Sequence, residues 1–161
     1  MGVLFLSTYI NKVDKKGRVS VPVAFRGALS SQDFSGIIAY KSFINPCIEA
    51  CGLKRIEFLS QTIDSLDPYS EARDAFATTI LGESIQLPFD GEGRVILSEE
   101  LIEIAKIDDK ACFVGKGATF EVWKPETFDE YATMAREIAK QNRSLLQFNH
   151  KIIQDGSDVK R

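Results

Sequence analysis

Asp14-Lys15-Lys16-Gly17-Arg18 recurs as Asp90-Gly91-Glu92-Gly93-Arg94, the same Asp-x-x-Gly-Arg pattern displaced by 76 positions. An aspartate at the head of a turn brings its carboxylate onto backbone N–H groups. A glycine three residues later supplies the left-handed backbone that a following bulge requires. Apolar residues flank both copies. Tyr9, Ile10 and Val13 precede the first and Val19 and Val21 follow it; Ile85, Leu87 and Phe89 precede the second and Val95, Ile96 and Leu97 follow it. Each copy is expected to be a tight β-hairpin holding out an arginine at its exit. A single Asp-x-x-Gly-Arg is an ordinary surface turn, whereas two in one chain mark an internal duplication.

The repeat extends past the turns. Gly36-Ile37-Ile38-Ala39-Tyr40 resembles Ala111-Cys112-Phe113-Val114-Gly115, and Ile48-Glu49-Ala50-Cys51 resembles Phe120-Glu121-Val122-Trp123. Around these strands the order of elements repeats. Pro22 suits a first helical position for a short helix over 23–29, and Ser98 caps a second helix reaching about residue 106. Ile56, Leu59, Ile63 and Leu66 give residues 53–66 one apolar helical face. Asp67-Pro68 breaks the halves, and Ser70 caps a connecting helix over 71–81 that Gly82 closes. A long helix starts at Pro125, with Phe128, Tyr131, Ala135, Ile138, Leu145 and Leu146 at near-heptad spacing, long enough to reach a neighbouring subunit. Residues 155–161 are expected to be disordered. Each half alone is marginal in size, so the two hairpins are expected to interleave into one small barrel with pseudo-twofold symmetry.

With 161 residues, 44% of them apolar, the chain can bury a core, and no apolar run is long enough for a membrane span. The opening Met1-Gly2-Val3-Leu4-Phe5-Leu6-Ser7 has no basic leader, and its apolar run reads as the start of the first strand rather than as a signal or a myristoylation site. Cys47, Cys51 and Cys112 with the single His150 do not make a zinc set, and read as buried thiols of a cytoplasmic protein. Charge is uneven. Residues 1–29 carry five Lys or Arg against Asp14 alone, a balance of +4, which leaves −7 for the rest of a chain whose net charge is −3. A basic tip on an acidic body is a focused patch, and it coincides with the first turn.

Catalysis has little to work with: there is no phosphate loop, nucleophile elbow or zinc-type His pair, so no enzyme, metal or cofactor is expected. Nucleic-acid binding fits better. Lys15 and Lys16 at the tip can neutralise phosphates, and the fork of Arg18 matches O6 and N7 of guanine in a major groove that admits a two-stranded ribbon. Asp14 lies across the turn from Arg18 and either orients it for binding, staples the hairpin, or does both. In the second copy Arg94 has no lysine neighbour and gains Glu92, so that turn is expected to bind more weakly or to be mainly structural. Gly17, Asp90 and Gly93 shape the turns.

The run Asn11-Lys12-Val13-Asp14-Lys15-Lys16-Gly17-Arg18-Val19-Ser20-Val21-Pro22 with Phe25-Arg26 resembles the first signature of the MraZ family. Phe89-Asp90-Gly91-Glu92-Gly93-Arg94-Val95-Ile96-Leu97, with Val114-Gly115 and Phe120-Glu121-Val122-Trp123, resembles the second; Asp67-Pro68 and Leu81-Gly82 fit between them. The resemblance spans about residues 5–130. It implies an α+β protein with two tandem SpoVT/AbrB-like swapped-hairpin repeats, 5–66 and 84–140, joined by a helix over 67–83 and followed by a helix end and tail over 141–161. It further implies a ring-shaped homo-oligomer, associated with the nucleoid. Such a regulator binds direct repeats of double-stranded DNA in its own promoter region and mostly represses the division and cell-wall gene cluster. The family's DNA-contacting Asp-x-x-x-Arg then falls on Asp14 and Arg18, with Lys16 as basic partner. Two departures are Glu92, where a small residue is common, and Ser98, where proline is. The rival reading is a protein–protein or antitoxin-like module on the same fold, its hairpins serving assembly.

Overall fold

Residues 3–147 are described by a computed structural model. The tail over 155–161 and His150 lie outside these residues. One compact unit ends at Pro125 and a second begins at Glu126.

The first unit is mixed α and β, with every strand pairing antiparallel. Strands β1 (Thr8–Lys12), β3 (Gly36–Lys41), β4 (Ile48–Cys51), β5 (Ile85–Pro88), β7 (Lys110–Gly115) and β8 (Phe120–Trp123) form one sheet in the order β1-β7-β8-β4-β3-β5. The remaining two, β2 (Arg18–Ser20) and β6 (Arg94–Ile96), pair with each other as a separate ribbon. Exchanging the halves reverses the sheet order onto itself. The sheet therefore carries the duplication as a pseudo-twofold, with Glu49 opposite Glu121 on the central strand pair. The halves also trade edges: among the described residues β1 of the first pairs only with β7 of the second, and β5 of the second only with β3 of the first.

Two expectations need correction here. The sheet does not close into a barrel, and the strands flanking each turn do not zip into a hairpin ladder. β1 and β2 share a single bridge, Val13 to Val19. The reason is that the edge of β2 facing β1 is satisfied by the turn itself, through Asp14 N on the Arg18 carbonyl at 3.0 Å, and by side chains. Asp14 Oδ1 accepts the Arg18 N–H at 2.9 Å and Asn11 Nδ2 donates to the Ser20 carbonyl at 2.7 Å. The other edge is free to take β6, with Val21 N donating to Gly93 O and Leu97 N to Gly17 O at 3.2 and 2.8 Å. The outer strands β1 and β5 are left as true edges.

The main core lies on one face of the sheet. Ile37, Ala39, Ile48, Ala50, Ala111, Phe113, Phe120 and Val122 pack with Val19 and Val95 of the ribbon, Phe25 of α1 (Val23–Ala28) and Leu101 of α4 (Glu99–Ala105). Phe25 sits edge-on to Phe5 at 5.2 Å and tilted on Phe120 at 4.9 Å, geometries that aromatic rings favour. The opposite face buries Ile38, Tyr40 and Cys51 against Ile63 of α2 (Leu53–Asp64) and Ile80. α3 (Glu71–Phe76), capped by Ser70 Oγ on Arg73 N at 3.2 Å, runs on into a π-helical stretch, Ala77–Gly82. Pro22 is the cap of α1 rather than its first helical residue, because its backbone is extended at ψ 139°.

The second unit carries α5 (Pro125–Gln141). The helix stops short of Leu145 and Leu146, which lie in a separate 3₁₀ turn, Arg143–Leu146. The expected heptad stripe therefore ends at Ile138. Phe128 and Tyr131, one turn apart, touch through their rings at 6.5 Å.

Candidate nucleic-acid interface

Both Asp-x-x-Gly-Arg segments build the same turn. Asp14 Oδ1 accepts the N–H groups of Lys16 and Arg18 at 2.9 Å each, and Oδ2 accepts Arg18 Nε at 2.6 Å. Asp90 repeats the pattern with Glu92 N, Arg94 N and Arg94 Nε at 2.8, 3.0 and 2.8 Å. The backbone adds Gly17 N to Asp14 O and Gly93 N to Asp90 O, both 3.0 Å. Gly17 and Gly93 stand at φ +81° and +75°, where a side chain is strained. The donated N–H groups, foremost those of Arg18 and Arg94, hold the Asp14 and Asp90 carboxyls below their ordinary pKa. Each aspartate thus orients an arginine and staples a turn with the same carboxylate. The staple that the sequence offers for Asp14 is present, and the same carboxylate fixes Arg18 Nε.

The ribbon brings the turns together. Its register sets Arg18 opposite Ile96 and Ser20 opposite Arg94. Val19 and Val95 are buried beneath it, so Arg18, Ser20, Arg94 and Ile96 share the outward face, with the two arginines diagonal neighbours. Hydrogen bonding to Asp90 raises the Arg94 pKa first; the charges of Asp90, Glu92 and, from the other half, Asp14 add to it. Lys12, Lys15 and Lys16 are exposed, and Lys110 of β7 lies directly opposite Lys12. Lys110 was not legible as part of this patch, since only the exchange of β1 between halves brings it there.

The acidic features of the second turn are equally plain: Glu92 Oε2 is 3.5 Å from Arg94 Nε. The buried Glu121 accepts Trp123 Nε1 at 2.9 Å and pairs with Lys116 at 3.4 Å, an internally satisfied group. Burial raises the thiols of Cys47 and Cys51, the latter to about 12, far from the range of a reactive thiolate. Among the described residues no group of His, Cys, Asp and Glu could hold a metal ion, and no helix is long and apolar enough to cross a membrane.

A family model described as "MraZ protein, putative antitoxin-like" matches residues 80–149. A protein of Rickettsia africae (strain ESF-5) named "Transcriptional regulator MraZ" is 54% identical over 147 residues, 91% of this chain and 99% of that one. A namesake from Rickettsia bellii (strain OSU 85-389) is 56% identical over 145 residues, 89% of this chain and 97% of its own. The chain belongs to the MraZ family.

Proposed function

We propose that this protein is a sequence-specific DNA-binding transcriptional regulator whose β2–β6 ribbon meets the major groove. One observation carries the reading: Arg18 and Arg94, each held by an aspartate, share one outward face of a two-stranded ribbon. A guanidinium fixed at Nε still has its terminal nitrogens to offer O6 and N7 of guanine. Lys15 and Lys16 serve the phosphates. Asp14, Gly17, Asp90 and Gly93 keep the turns in shape for both.

On the same reading the chain is organised as two SpoVT/AbrB-type repeats over 5–66 and 84–140, linked through 67–83. Copies assemble into a ring, so that many modest basic tips sum through avidity on direct repeats despite the acidic body. The targets are the division and cell-wall cluster and the protein's own promoter, mostly under repression, in the nucleoid. The names of the relatives, all transcriptional regulators, support the class of function.

A mobility-shift titration on DNA from directly upstream of the gene, with excess random competitor and at two salt concentrations, tests this. Wild type should give a salt-sensitive, competitor-resistant shift that Arg18→Ala abolishes while keeping its fold and oligomer. An unchanged shift in Arg18→Ala removes the residue from the interface. No shift for folded wild type favours an assembly module, the alternative to which the antitoxin-like description of the family model points.

A further inference from the structure

We propose that Arg26 is a phosphate contact of the second turn, supplied to it by the first half of the chain. The proposal rests on the duplex-DNA reading above. By sequence the second turn is the poor relation. Asp90, Glu92 and Arg94 give it a net charge of −1, whereas Asp14, Lys15, Lys16 and Arg18 give the first +2. A turn of net negative charge is repelled by a phosphate backbone.

The fold changes that balance. α1 follows directly on β2, and β2 pairs with β6, so the first residues of α1 lie beside the second turn. The guanidinium of Arg26 rests against Gly93: a Cβ added there would collide with its Nη1 and Cζ and lie 2.6 Å from Nε. Arg26 Nε donates to the Val21 carbonyl at 3.0 Å, which fixes the plane of the fork. Its terminal nitrogens take part in none of the hydrogen bonds or ion pairs found among the described residues. Arg26 therefore brings the second turn to neutrality with two terminal nitrogens still to give.

The counterpart position makes the point by contrast. Adding the repeat offset of 76 to Arg26 leads to Ile102, whose Cδ1 lies 3.6 Å from a Cβ built on Gly17. The turn with two lysines is backed by hydrocarbon, and the turn with none is backed by a guanidinium. Arg26 also heads a cleft of about 280 Å³ with Ser30, Gln32, Ser35 and Gly91. Asp90 borders it too, but its carboxylate is already occupied by the N–H groups of Glu92 and Arg94 and by Arg94 Nε. The partner that fits is a phosphodiester of the duplex flanking the groove that Arg18 and Arg94 read.

The test is a fluorescence-anisotropy titration of the full chain on its upstream duplex across a range of salt. Arg26→Gln keeps an amide able to reach the Val21 carbonyl and removes the charge, and Arg26→Lys restores a charge. Arg26→Gln should weaken binding to operator and random duplex alike and flatten the salt slope by about 0.9 for each phosphate that is no longer neutralised. Arg26→Lys should recover the wild-type slope. A wild-type slope in folded Arg26→Gln overturns the proposal and leaves the DNA reading standing. Absence of salt-dependent binding by wild type brings down both. If Arg26→Gln does not fold, phenylglyoxal labelling of wild type read by mass spectrometry decides: Arg26 should be shielded by the duplex, and equal labelling with and without DNA overturns the assignment.

Discussion

Asp14 and Asp90 each organise a turn by accepting two backbone N–H groups and an arginine Nε through one carboxylate. Their folded pKa values lie below the ordinary 3.8. The stabilisation they bring is therefore complete above the ordinary carboxylate range and is lost as pH falls through their lowered values. Thermal midpoints measured from about pH 5 to pH 2 should drop for wild type and drop less steeply in the double variant Asp14→Asn, Asp90→Asn. An identical slope would assign the acid sensitivity to other carboxylates. Glycine makes a second contrast. Gly17→Ala puts a Cβ at φ +81° and 2.5 Å from the Leu97 carbonyl, and should destabilise by about 1–3 kcal/mol. Gly91→Ala meets nothing within 4 Å, and should stay within about 0.5 kcal/mol in a denaturant titration. The aspartate caps and the left-handed glycines were legible in the sequence, because the hydrogen bonds of a turn close within five residues, whereas the approach of Leu97 to Gly17 was not.

At the scale of elements, legibility depended on how local the signal is. Ser70 and Ser98 cap α3 and α4 where the sequence puts them, with Ser98 Oγ accepting Leu101 N at 3.3 Å. Ile56, Leu59 and Ile63 face the second core from α2 as their spacing requires, but the helix ends at Asp64 and Leu66 is left exposed. The ribbon was misread as two hairpins, since an apolar strand after a turn carries no mark of which neighbour it pairs with. Val19 and Val95 are each 1% exposed and face each other across β2–β6. Val19→Ala and Val95→Ala should each destabilise by about 1–3 kcal/mol, and the double variant by less than the sum, because the second truncation enters a cavity already opened. Strict additivity in chemical unfolding would mean that the two side chains do not share a packing site. α5 is the other misreading: Gln141 ends it, and Leu145 and Leu146, 81% and 77% exposed, leave the stripe. Truncation after Gln141 tests those leucines as an assembly element. Light scattering should report a smaller particle, and an unaltered mass would exclude them.

For the molecule as a whole, the exchange of strands makes the halves interdependent. Among the described residues β1 has no partner but β7, β5 none but β3, and β2 none but β6 beyond the single Val13–Val19 bridge. A fragment of residues 1–83 should be unfolded by circular dichroism, and mixing it with 84–161 should restore a cooperative transition; a folded 1–83 alone would contradict the pairing. By itself the sequence determined the duplication, the two turns with their Asp–Arg pairs, the order of elements and the membership of the family. These are set by contacts within a few residues or by similarity along the chain. Only the tertiary structure decided that the sheet stays open, that Arg18 and Arg94 come to one face, and that Arg26 rests against the turn of the other half. Those outcomes rest on strand pairings between residues about 76 apart, such as Arg18 with Ile96 and Ser20 with Arg94. A backbone hydrogen bond forms equally well with either candidate strand, so the choice falls to which edge the side chains of Asp14 and Asn11 have already filled.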